Sequence, residues 1–216
     1  MKSRTLAIAL AAPLLGLAFA ALAHAAEAPL VGNAAAGAGK SATCGACHGA
    51  TGNSANPEWP SLAGQHHEYL VEQLALLKST ARLAPAMNPM ATTLSAQDMA
   101  DLAAYFEKQT LVGLEADPSL WEAGQKLYRG GDAARGIPAC LACHGPNGRG
   151  NAPAHWPQVR AQQAAYVTAQ LKGYAAKTRY VAGGAAPAGA AMMTEVAQRL
   201  GEADIKALAA YLQGLR

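Results

Sequence analysis

Cysteine and histidine recur here in one arrangement: Cys44-Gly45-Ala46-Cys47-His48 and Cys140-Leu141-Ala142-Cys143-His144. The pentads lie 96 positions apart and hold all four cysteines of the chain. Two thiols spaced by two residues can each add to one vinyl group of a haem. The histidine that follows is then held under the ring, where its imidazole can ligate iron. Two pentads therefore predict two covalently bound c-type haems, attached at Cys44, Cys47, Cys140 and Cys143, with His48 and His144 on the irons. A chain with two haems most often moves electrons.

Other uses of four cysteines fit less well. Two disulfides in an exported protein would leave the repeated histidine unexplained. A Cys₂His₂ zinc site usually draws its cysteine pairs from closer positions. A thioredoxin-like CxxC expects a βαβ pattern nearby, and no segment alternates like a strand.

Export is the expected fate. Lys2 and Arg4 precede an apolar stretch over residues 6–23, and Ala23-His24-Ala25 has the A-x-A form of a cleavage site. Residues 1–25 are thus read as a signal peptide rather than a membrane anchor, since the stretch is short and alanine-rich and no charged flank follows it. The expected compartment is the periplasm, where c-type haem attachment also takes place. About 190 residues follow the leader, enough for one domain or two small ones. Small units have marginal cores, and a haem supplies each with an apolar body to fold around.

The mature chain reads as an internal duplication. Trp59-Pro60 matches Trp156-Pro157, Tyr69 matches Tyr166, Gln73-Leu74 matches Gln170-Leu171, and Arg82 matches Arg179. The run from Leu94 to Phe106 matches that from Leu200 to Leu212. The offset grows from 96 to 97 to 106, so the halves differ by loop insertions. Gly113, Asp117 and Pro118 punctuate the junction, which gives domains over residues 26–112 and 113–216.

Each half reads as helical. Met99, Leu102, Ala103 and Phe106 recur at i, i+3, i+4, i+7, as do Ile205, Leu208, Ala209 and Leu212. Ser95 followed by Asp98 predicts a capping box. Further helices are expected over residues 66–78 and 163–176. Gly37 and Gly124 fall in the first helix of each half, where glycine costs stability. A close crossing by the last helix, its aromatic packed over the glycine, would justify them.

One histidine leaves the sixth position of each iron open. Methionine there suits electron transfer, whereas an open position suits ligand binding or catalysis. Met99 lies on an apolar helix face and is expected in the core. Met87 and Met193 stand equally far before Leu94 and Leu200, and before Tyr105 and Tyr211. They are assigned as sixth ligands, with Met90 the rival in the first half and Met192 a weaker one in the second. Backbone carbonyls at Pro60 and Pro157 could accept the second ring N–H of His48 and His144; a plain Trp-Pro turn is the alternative. Arg82 and Arg179 are candidates for pairing with haem propionates, or else are solvated. His66, His67 and His155 are not needed as ligands.

Formal net charge is +3. Residues 26–112 hold four Lys/Arg against seven Asp/Glu, and residues 113–216 hold eleven against seven. An acidic and a basic half can steer the two ends toward different partners. No basic run suggests nucleic acid.

These residues resemble the cytochrome c4 family. The resemblance spans nearly all of the mature chain. It rests on Cys44-Gly-Ala-Cys-His-Gly49 with Gly52-Asn53, on Trp59-Pro-Ser-Leu-Ala-Gly-Gln65, and on Leu94-Ser-Ala-Gln-Asp98. Gly130-Gly131, Ile137-Pro138-Ala139-Cys140 and the closing Ala209-Ala-Tyr-Leu-Gln-Gly-Leu215 complete it. The resemblance implies an all-α fold of two tandem class I cytochrome c domains, each wrapped around a covalently attached haem. It also implies His/Met ligation at both irons, propionates meeting near the domain interface, and fast exchange between the haems. The implied function is a carrier without catalysis, taking electrons from a quinol-oxidising complex or a dehydrogenase and delivering them to a terminal oxidase or reductase. A dihaem subunit of a flavoenzyme such as a sulfide dehydrogenase is the alternative. A peroxidase or thiosulfate-oxidising enzyme would need an open or displaceable iron ligand. The Gly/Ala/Pro-rich segment 181–190 departs from the more polar loop that the family leads one to expect.

Overall fold

The computed structural model describes residues 30–216, and the expected leader lies outside them. The first half forms α1 (Ala34–Lys40), α2 (Ala42–His48), α3 (His67–Lys78), α4 (Asn88–Thr92) and α5 (Ala96–Glu107). The second forms α6 (Pro118–Gly130), α7 (Leu141–His144), α8 (Ala164–Ala175), α9 (Ala188–Ala197) and α10 (Glu202–Gly214). Among the described residues there is no β-sheet, only isolated bridges. None of the described helices is long and apolar enough to cross a membrane.

Local chemistry starts these helices where the sequence places them. The Asn33 side chain accepts from the Ala35 and Ala36 N–H groups at the head of α1. Ser95 and Asp98 form the expected reciprocal box at α5, with N–H to side-chain distances of 2.9 and 3.1 Å. At α10, Asp204 makes half of that box by accepting from the Gly201 N–H at 2.8 Å, because glycine has no side chain to return. Asp117 caps α6 and Pro118 fills its first turn, where a missing N–H costs nothing.

The two glycines set the helix crossings. α1 packs across α5, and α6 across α10. A Cβ on Gly37 would strike the Asp101 carbonyl oxygen, and one on Gly124 the Ala207 carbonyl oxygen. Tyr105 and Tyr211 lie over the respective glycines. Only a residue without Cβ lets the backbones approach so closely.

Each crossing builds a small core beside its pentad. Leu70, Leu102, Ala103 and Phe106 form one, with Cys44 packed against it. Leu127, Tyr128, Val167, Leu208 and Tyr211 form part of the other, with Cys140 and Leu141 packed against it. Met99 is buried in the first half, as its helical spacing predicts.

The link from α5 to α6 is shared between the halves. The Val112 N–H bonds the Asn53 side chain at 2.8 Å. Three residues on, Glu115 pairs with Arg216 at 2.7 Å.

Candidate haem sites

In both halves the pentad histidine ends a short helix. His48 closes α2 and is buried, and its Nδ1 lies 2.8 Å from the Pro60 carbonyl oxygen. His144 closes α7, with Nδ1 3.1 Å from the Pro157 carbonyl oxygen. A carbonyl can only accept, so Nδ1 carries the proton and Nε2 is left with a lone pair. Burial lowers both histidine pKa values, partly opposed by these carbonyls, and favours neutral imidazole.

No disulfide joins any two of the four cysteines. Cys44 and Cys140 are half-buried against the cores, while Cys47 and Cys143 face outward. Tyrosine hydroxyls tie down the turn after each pentad, from Tyr105 to the Ala50 carbonyl at 3.1 Å and from Tyr128 to the Gly145 carbonyl at 2.6 Å.

The candidate methionines separate by exposure. Met87 and Met193 are half-buried. Met90 is 45% exposed and Met192 50%. The matched pair is not matched in local structure. Met87 caps α4, whose start is set by Pro89 in its first turn. Met193 lies inside α9, which begins after Pro187 in an alanine-rich run of high helix propensity. Residues 181–186 of the Gly/Ala/Pro-rich segment form the exposed turn before it.

Arg82 and Arg179 are not solvated. After α3 and α8 the chain turns through left-handed Thr80 and Lys177, again 97 positions apart. The following residues pair as an antiparallel bridge between the halves, with Leu83 N–H to Arg179 carbonyl at 3.1 Å and Val181 N–H to Ala81 carbonyl at 2.9 Å. This turn aims both guanidinium groups into the interface. Arg82 donates to Gln73 at 2.9 Å and to the Tyr166 hydroxyl at 3.0 Å. Arg179 donates to the hydroxyls of Tyr69 and Tyr180, both at 3.3 Å, and lies 5.0 Å from the centre of the Tyr174 ring. Burial pushes the Tyr69 phenol up to about 12, so it remains a neutral O–H.

Two buried cations thus meet without a carboxylate. Among the described residues neither arginine forms an ion pair, and Arg179 Nη1 is buried with no hydrogen-bond partner. Buried charge normally demands a counter-charge. A haem brings two propionates, so the donor set fits that group.

His66 and His155 also contact the other half, at the Arg149 carbonyl and at Glu72. Sequence reasoning passed over Gln65 and Gln162, which reach across the interface to the backbone at Gln158 and Ser61. Their signal was present, because they share the 97-residue offset of the Trp-Pro pairs.

A haem-attachment pentad, a histidine anchored to a proline carbonyl and a five-helix half, all present twice, define a dihaem c-type cytochrome. The family model described as "Cytochrome c" matches residues 34–110 and 121–216. Cytochrome c4 of Azotobacter vinelandii is 45% identical over 96% of this chain and 98% of its own length. The crystal structure of reduced recombinant cytochrome c4 from Pseudomonas stutzeri superposes with a TM-score of 0.80 at 42% identity, covering 86% of this chain and all of that one. A protein named thiosulfate dehydrogenase electron acceptor, from Thiomonas intermedia, is 37% identical over 80% of this chain and 78% of its own. The chain belongs to the cytochrome c4 family. It is a dihaem electron-transfer cytochrome with haem attached at Cys44/Cys47 and Cys140/Cys143.

Proposed function

We propose that this protein is a stand-alone periplasmic electron carrier in which His48 with Met87, and His144 with Met193, hold the two irons. The observation that carries this reading is that the matched methionines are half-buried while their rivals are exposed. With a methionine for each iron, no position stands open for substrate, which favours a carrier over an enzyme. Each haem, when bound, supplies a reversible one-electron couple.

The chain's own residues do the rest. Pro60 and Pro157 fix the histidine rings and their tautomer. Arg82 and Arg179 hold propionates at the interface, where Tyr69, Tyr166 and Gln73 orient the guanidinium groups. The domains meet at residues 112/113, supported by the attachment of Val112 to the first half and Glu115 to the second. Residues 1–25 serve as a leader cleaved near Ala25. Donor and acceptor are a quinol-oxidising complex or dehydrogenase on one side and a terminal oxidase or reductase on the other, met through the acidic and basic halves.

The test is spectroscopic. Met87→Ala should remove half of the long-wavelength methionine–iron charge-transfer band of the oxidised protein, and Met90→Ala should leave it whole. Rapid carbon monoxide binding by the reduced wild type at neutral pH would overturn the carrier reading.

A second reading is acceptance of electrons from a thiosulfate dehydrogenase, favoured by the likeness to the Thiomonas acceptor. Copurification with such an enzyme, and fast reduction by it, would separate the two.

A further inference from the structure

Gln65 and Gln162 each grip the backbone of the opposite half. Gln162 Oε1 accepts from the Ser61 N–H at 2.8 Å, and Gln162 Nε2 donates to the Ser61 carbonyl at 3.0 Å. Gln65 repeats this at Gln158, where Oε1 accepts from the N–H and Nε2 donates to the carbonyl, both at 2.9 Å. Ser61, Gln65, Gln158 and Gln162 are all buried, so water does not compete for these bonds.

The gripped groups are not arbitrary. The Ser61 N–H belongs to the same peptide unit as the Pro60 carbonyl, which accepts from His48 Nδ1. The Gln158 N–H shares its unit with the Pro157 carbonyl, which accepts from His144 Nδ1. A peptide that donates through its N–H is polarised and accepts more strongly at its oxygen, as in any hydrogen-bonded chain. A stronger acceptor at Nδ1 makes the imidazole more basic and holds its orientation. A more basic ligand stabilises the oxidised metal.

We propose that the two glutamines are crossed positioning residues. Gln162, from the second half, tunes the first-half haem through the Pro60–Ser61 peptide and His48. Gln65, from the first half, tunes the second-half haem through the Pro157–Gln158 peptide and His144. The inference rests on His48 and His144 being iron ligands. It means that neither half completes the hydrogen bonding behind its own histidine, so domain docking and haem tuning are one event.

The experiment uses full-length holoprotein and follows each haem's reduction potential through its own methyl NMR signals, assigned by contacts to residues of each half. Methionine is close to glutamine in shape and makes neither bond. Gln162→Met should raise the potential of the first-half haem and leave the second unmoved, and Gln65→Met should do the reverse. A threefold change in the electron-transfer equilibrium is of the order that polarisation by one added bond supplies. It reads as about 28 mV, from 59 mV per tenfold for one electron. Gln162→Glu keeps an oxygen to accept from Ser61 in either protonation state, so its first-half potential should stay at or below wild type. Equal shifts at both haems, or shifts confined to the variant's own half, would overturn the proposal. The methionine–iron band of the same samples keeps the two ideas apart. An intact band with uncrossed shifts sinks the relay alone, whereas a wild-type spectrum without His/Met character sinks the ligation on which it rests.

Discussion

Alanine at Gly37 and alanine at Gly39 should move stability in opposite directions, although the two glycines lie two residues apart in α1. A Cβ at position 37 meets the Asp101 carbonyl oxygen and stands 2.9 Å from Tyr105 Cβ. Neither atom can rotate away, so α1 and α5 must separate. Overpacking of this kind costs about 1–3 kcal/mol, and contact with rigid backbone puts it near the upper end. Alanine's better helix propensity returns about 1 kcal/mol, leaving a net loss of about 2. A Cβ at position 39 meets nothing within 4 Å, so that variant keeps the gain of about 1 kcal/mol. The variants should therefore differ by about 3 kcal/mol. Urea unfolding of the holoprotein, with slopes of about 1–3 kcal/mol per molar, would show this as midpoints separated by about 1–3 M. Gly37→Ala as stable as Gly39→Ala would refute the crossing argument. Gly124→Ala should behave like Gly37→Ala, because its Cβ meets the Ala207 carbonyl oxygen.

Two further outcomes follow from the interface and from α1. Arg179→Met should lower at least one reduction potential, since a buried positive charge that favours the added electron is gone; unchanged potentials in a redox titration would remove the arginine from the propionate role. Hydrogen bonding from Lys40, with help from the Asn33 N–H and Gln97, holds the Asp101 carboxyl down at about 2. A carboxyl depressed by folding contributes stability above its ordinary value of 3.8 and loses it as pH falls toward 2. Thermal melts of the wild type should therefore fall between pH 4 and pH 2, and Asp101→Asn should flatten that stretch. An unaltered slope in the variant would show that other carboxylates carry the acid sensitivity.

Much of the fold was legible because its signals are local. Helices expected over residues 66–78 and 163–176 appear as α3 and α8, with His66 and Gln163 as their N-caps. The capping box at Ser95 needs only four consecutive residues. The crossing glycines were readable for a different reason: a duplicated glycine opposite a duplicated tyrosine marks the same contact twice. Less legible was the setting of the methionines. Equal spacing paired Met87 with Met193, yet one caps a helix and the other lies inside one. Proline position and alanine content differ between the two segments, and counting along the chain does not see that.

The sequence by itself determined the cofactor and its number, the attachment residues, the duplication and the helical class, because thiol spacing and apolar period act within a few residues. Only the tertiary structure decided what lies between the halves. Arg82 was open to solvent or to a propionate, and its burial against Gln73 and Tyr166 removes the solvated alternative. Gln65 and Gln162 carry identical local preferences, and each serves the half to which it does not belong. The physical reason is common to both. A duplicated chain gives each half the same donors and acceptors. Whether they are satisfied within a half or across the pair depends on docking, which brings together residues about a hundred positions apart.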